Sequence, residues 1–136
     1  MLDLDIQIIK TTTPKEKPTD ESTLGFGKIF TDHMFIMNYT EGQGWHDARI
    51  VPYAPIPMDP GAVGMHYGQE TFEGLKAYRR KDGKVQLFRH DANVERLNIS
   101  AERIGLPQVP ADVAMAAIEQ LVEVDQDWVP SAPGTS

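Results

Sequence analysis

The chain has 136 residues, 40% of them hydrophobic and 24% charged, with a formal net charge of -7. That length supports one domain with its own core, burying roughly two-thirds of the surface its unfolded chain exposes. The acidic balance excludes a general nucleic-acid or anionic-membrane binder, since both need a basic face, but leaves room for a small anion gripped by one or two arginines. The absence of cysteine removes disulfide and thiolate chemistry and fits a cytoplasmic protein. No apolar run has the length of a membrane span, and Asp3 and Asp5 stand where a secretory signal would carry positive charge.

MLDLDIQIIK alternates Leu2, Leu4, Ile6 and Ile8 against Asp3, Asp5 and Gln7, the pattern of a half-buried strand. Thr11 to Thr23 is polar and proline-punctuated, a surface loop. IFTDHMFIMNY is rich in strand formers, Glu41 to Gly44 reads as a turn, and WHDARIVPY returns as a partner strand. APIPMDPGAVG is a connection. HYGQETFEGLKAYR then predicts a short helix across His66 to Glu73, with Gly74 as a left-handed C-cap. Asp82-Gly83 marks a hairpin between KAYRR and KVQLFR.

The stretch 91–106 predicts a helix N-capped by Asp91, with Val94, Leu97, Ala101 and Ile104 as its apolar stripe. Pro110 opens another helix, with Val113, Ala117, Leu121 and Val124 facing inward. Strands and helices interleave without a βαβ rhythm, so the expected fold class is α+β with a mostly antiparallel sheet. Residues 1–23 read as a strand and polar loop, and 24–136 as the domain proper.

Beside the stripe of the 91–106 helix runs a second line, Asn93, Arg96, Ser100 and Arg103. A guanidinium with hydroxyl and amide neighbours suits a phosphate, because its fork donates two hydrogen bonds and stays charged. The same line suits a solvated flank equally, with Arg96 near Glu95 or Glu102. Tyr67 and Phe72 read either as core or as an aromatic wall around an apolar ligand, with Gly74 admitting the ligand to the backbone. The four histidines, His33, His46, His66 and His90, show no metal-binding spacing. "TDHMF" raises Asp32 beside His33 as an oriented base. No nucleophile elbow, P-loop or dinucleotide fingerprint is present.

Taken together, "FGKIFTDHMF", "HYGQETFEGLKAYR", "LFRHDANVERLNISAERIGLP" and "LVEVDQDWVP", with "ARIVPY" more weakly, resemble the branched-chain amino acid aminotransferases of the fold-type IV pyridoxal phosphate enzymes. The resemblance runs from about Leu24 to the last residue. It implies the amino-terminal small domain of an enzyme, usually a homodimer, that moves the amino group of leucine, isoleucine or valine to 2-oxoglutarate, yielding glutamate and 2-oxo acids. The cofactor it implies is pyridoxal 5'-phosphate. Carried over by position, Arg96 resembles the arginine on the cofactor phosphate. Phe26, Tyr67 and Phe72 resemble the aromatics around the branched side chain, Tyr67 reaching the neighbouring subunit's site. Gly74 resembles the close approach to the substrate carboxylate.

The family's Schiff-base lysine is expected beyond Ser136, as are the residues that hold the pyridine nitrogen. The 136 residues alone are therefore expected to be inactive. Two alternatives stand beside this reading. One is another fold-type IV enzyme, a D-amino acid aminotransferase or an aminodeoxychorismate lyase. The other is a non-catalytic module for dimerisation or for binding a phosphorylated metabolite.

Overall fold

A computed structural model describes residues 5–135. Its elements are β1 (Gln7–Ile8), β2 (His33–Thr40), β3 (Gly44–Pro52), α1 (Val63–Tyr67), β4 (Ala77–Arg79), β5 (Val85–Leu87), α2 (His90–Arg103) and α3 (Ala111–Val124). The fold is α+β, as the interleaved pattern implied.

The β2–β3 hairpin is the central piece. Its turn closes where the Gln43 N–H donates to the Thr40 carbonyl at 3.0 Å. Gly42 and Gly44 supply the positive φ angles there, 83° and 84°. The register slips between Ile36 and Asn38, where Asp47 adopts φ 58° and takes a hydrogen bond from the Asn38 amide at 3.0 Å. A bulge of this kind sharpens the local twist.

β1 adds a parallel edge to β3, giving the order β1-β3-β2. Of the alternating strand expected over 1–10, two exposed residues, Gln7–Ile8, are strand among the described residues; residues 1–4 lie outside them. Backbone pairing, rather than a buried apolar face, holds this strand. The β4–β5 hairpin forms a separate antiparallel pair, with Gly83 at φ 83°, where Asp-Gly foretold it.

α2 starts at His90, with Arg89 rather than Asp91 as the preceding cap residue. Asp91 instead lies in the first turn, where its charge suits the helix dipole. Of the expected stripe, Val94 and Ala101 are buried while Ile104 is exposed. α3 follows Pro110 as anticipated and buries Val113 and Ala117. The Asn98 side chain clamps the link between the helices, donating to the Val109 carbonyl at 2.7 Å and accepting the Val109 N–H at 2.8 Å.

The buried apolar set is small: Ala48, Ile50, Val94, Ala101, Val113 and Ala117. A polar cluster supplements it. Asp32, His33 and Asp125 are all buried. The Thr11 N–H donates to His33 Nε2 at 2.9 Å, which leaves the ring proton on Nδ1, 2.6 Å from Asp125 Oδ1. Asp32 accepts from the Lys15 N–H at 2.8 Å and from the Trp128 indole at 3.0 Å. These bonds tie the loop at 11–23 and the segment after α3 onto β2.

Candidate functional site

A groove of about 880 Å³ runs between the 21–29 segment and the chain leading into β4. Leu24, Phe26 and Ile29 form one wall; Gly74, Lys76 and Tyr78 form the other, with Asn93 of α2 and Phe88 beside them. Glu21, one of the lining residues, latches this segment to the backbone at 131–132. The Glu21 carboxylate takes the Ser131 N–H at 3.0 Å and also that of Ala132. These backbone bonds hold its pKa below the ordinary value of 4.5.

Asn93 joins the groove to the expected phosphate anchor. Its amide donates to the Gly74 carbonyl at 3.0 Å and to Glu73 Oε2 at 2.8 Å. Glu73 also receives the Arg96 guanidinium through both Nε and Nη2, the latter at 2.8 Å. Hydrogen bonding by Arg96 first, and then by Asn93, lowers the Glu73 pKa from 4.5 to about 2. The same carboxylate raises that of Arg96. Arg96 thus pairs with Glu73, not with Glu95 or Glu102: one helical turn sets Asn93 and Arg96 on one face, and the 68–76 stretch crosses that face. Ser100 Oγ turns back to the Arg96 carbonyl at 2.9 Å, a common intrahelical bond.

The five residues singled out in the sequence do not share one cavity within the chain. Phe26 and Gly74 line the groove, whereas Tyr67, Phe72 and Arg96 do not. The aromatics are nevertheless far from core positions: Phe26 is 96%, Tyr67 86% and Phe72 86% exposed. Tyr67 ends α1, and Gly68, not Gly74, is the left-handed C-cap, at φ 63°. The helix expected over 66–73 is therefore a shorter one shifted towards the N-terminus. Gly74 has no positive φ, and a Cβ there would meet only the Phe72 ring, at 3.9 Å.

Asp32 and His33 do not form a base. Both His33 nitrogens are engaged, by Thr11 and Asp125, and Asp32 is held by other partners. Among the described residues no group of three acidic or histidine side chains is placed to hold a metal, and no helix is long and apolar enough to cross a membrane. Sequence reading placed Asn93 beside Arg96 but missed Glu73 as the partner of both. A carboxylate set directly between Phe72 and Gly74 was the available signal, because a charge drawn out of water calls for a partner.

An oxyanion fits the donors present. The Arg96 side chain is 67% exposed, and its Nη1 has no protein acceptor among the described residues. A guanidinium with one edge paired and the other open can hold one phosphate contact. The α+β fold thus presents an arginine–carboxylate pair near a groove rimmed by Phe26, Tyr78 and Phe88.

Comparison with known proteins narrows the class. No family model matches the chain. It is 56% identical over 127 residues to branched-chain-amino-acid transaminase 1 of Bacillus subtilis (strain 168), a match over 93% of this chain and 35% of that protein. It is 50% identical over 131 residues to branched-chain-amino-acid aminotransferase 2 of the same organism, over 96% of this chain and 36% of that protein. It is 48% identical over 134 residues to the branched-chain-amino-acid aminotransferase of Mycobacterium tuberculosis (strain ATCC 25618 / H37Rv), again over 96% and 36%. Over more than nine-tenths of its own length the chain is similar to branched-chain aminotransferases, and it spans about a third of the length of the curated relatives it matches.

Proposed function

We propose that these residues form the amino-terminal small domain of a cytoplasmic, homodimeric branched-chain amino acid aminotransferase. The enzyme transfers the amino group of leucine, isoleucine or valine to 2-oxoglutarate. Pyridoxal 5'-phosphate, when bound, supplies the electron sink for the chemistry at the substrate α-carbon. The lysine that bonds it comes from outside these 136 residues, in the remaining two-thirds of the enzyme. Identity of about half the residues to named branched-chain aminotransferases, across more than 90% of the chain, carries the reading.

In this reading Arg96 holds one phosphate oxygen through its open edge. Phe26, Tyr67 and Phe72 enclose the branched side chain, Tyr67 across the subunit boundary. Gly74 lets the substrate carboxylate approach the backbone. Three exposed aromatics are available for such an enclosure because the chain's own core does not use them. Apolar enclosure rewards each buried methylene by roughly 0.8 kcal/mol. One methylene discriminates by only about 1–3 kcal/mol, so all three branched substrates are accepted.

The test is steady-state transamination by the full-length enzyme, L-leucine against D-alanine, with 2-oxoglutarate as acceptor. Turnover confined to the L-branched substrates is expected, with none from the 136-residue chain alone. Preference for D-alanine would overturn the substrate assignment.

A further inference from the structure

Beside the groove, Glu73 joins Asn93 to Arg96 and has no assigned task. We propose that Glu73 is a positioning residue that orients the Arg96 guanidinium for the cofactor phosphate, with Asn93 as its brace. The inference rests on the reading of Arg96 given above.

An arginine side chain has four main torsions, and one as exposed as Arg96 would otherwise sample many rotamers at a cost in binding entropy. The Glu73 carboxylate meets Nε and Nη2 together, which fixes the plane of the guanidinium and leaves Nη1 for an incoming oxygen. A carboxylate in such a place has two available roles. It could be a competitor that vacates the fork when phosphate arrives, or a fixed support.

The surroundings favour the support. The Glu73 side chain is only 12% exposed, whereas that of Arg96 is 67% exposed. Asn93 also holds the same carboxylate oxygen that Nη2 uses, at 2.8 Å. The anchored member of the pair is therefore the acid. Through its second bond, to the Gly74 carbonyl at 3.0 Å, the brace sets the groove wall and the anion anchor in one register.

The experiment measures dissociation constants of the full-length apoenzyme for pyridoxal 5'-phosphate and for phosphate-free pyridoxal, by quenching of protein fluorescence. E73Q keeps the shape of the side chain and removes its charge. It should weaken pyridoxal 5'-phosphate about tenfold, the lower end of what orienting partners contribute at metal sites, and leave pyridoxal unchanged. N93A should act in the same direction, and E73Q/R96A should be no worse than R96A. N93A decides the matter if E73Q melts too low to be assayed: selective weakening supports the brace, and unchanged affinity overturns it. An E73Q enzyme that binds the phosphate form as well as or better than wild type, while R96A binds it poorly, overturns the inference and leaves the role of Arg96 standing. An R96A enzyme with unchanged affinity overturns that role, and the inference with it. Equal weakening of both ligands by E73Q overturns phosphate orientation as the function.

Discussion

Replacing Asp125 by alanine tests whether the buried polar cluster, rather than the small apolar core, holds the sheet to the helices. Asp125 Oδ2 accepts the backbone N–H of His33 at 3.0 Å, and Oδ1 lies 2.6 Å from His33 Nδ1. Both residues are buried, so Asp125→Ala leaves two donors with no acceptor and little access to water. Each orphaned donor costs about 1–3 kcal/mol, so the two together cost roughly 2–6 kcal/mol. Against the ~5–15 kcal/mol stability of an ordinary domain, that is a large share. His90 and Glu119 provide the control. They repeat the chemistry at 2.8 Å with Glu119 more than half exposed, and a surface pair contributes about 0–1 kcal/mol. The assay is urea unfolding of both variants, followed through Trp128, whose indole bonds to Asp32 in the same cluster. Asp125→Ala should lower the midpoint sharply at an unchanged slope, and Glu119→Ala should barely move it. Equal midpoints would refute the claim that burial gives the His33–Asp125 contact its weight.

Four further outcomes follow from the geometry. Because the Glu73 pKa falls from 4.5 to about 2 on folding, its stabilisation is complete above 4.5 and disappears as pH drops through about 2. The melting-temperature gap between wild type and Glu73→Gln should shrink over that range. Gly74→Ala meets only ordinary contact with Phe72, so stability should change by no more than about 0.5 kcal/mol while the KM for L-leucine rises. Gly68→Ala, at φ 63°, should instead cost roughly 1–2 kcal/mol in thermal melts. Phe72→Ala should leave chemical denaturation within about 0.5 kcal/mol of wild type, yet raise the KM for leucine more than for valine.

What the sequence made legible was local. Asp82-Gly83 and the Glu41–Gly44 turn fix their hairpins through neighbouring φ angles, and the stripes through Val94 and Val113 repeat within a few turns. The bounds of α1 slipped because His66 to Glu73 has ordinary helical composition, while both Gly68 and Gly74 are plausible stops; the bonds made by Glu73 and Gly74 to α2 decide between them. Those bonds span about 20 residues, and the His33–Asp125 contact spans 92. No periodicity encodes a partner at such a separation. The alternation in MLDLDIQIIK misled for a related reason. It described side chains suited to a buried face, whereas only a two-residue edge pairing formed among the described residues.

The aromatics turn this limit into a functional argument. Large apolar side chains such as Phe26, Tyr67 and Phe72 ordinarily go to a core, since each gains roughly 1.5–3 kcal/mol there. The fold forgoes that gain three times over, even though its largest fully buried side chain is Ile50. Packing constraint does not explain the choice. The sites lie on different segments, the tip of α1, the 21–29 stretch and the chain before β4, and each could have carried a polar residue without disturbing the buried set. Exposed apolar surface on this scale is recovered when something covers it. An enclosure completed by substrate, by the remaining two-thirds of an aminotransferase and by a second subunit would return what folding alone leaves unclaimed.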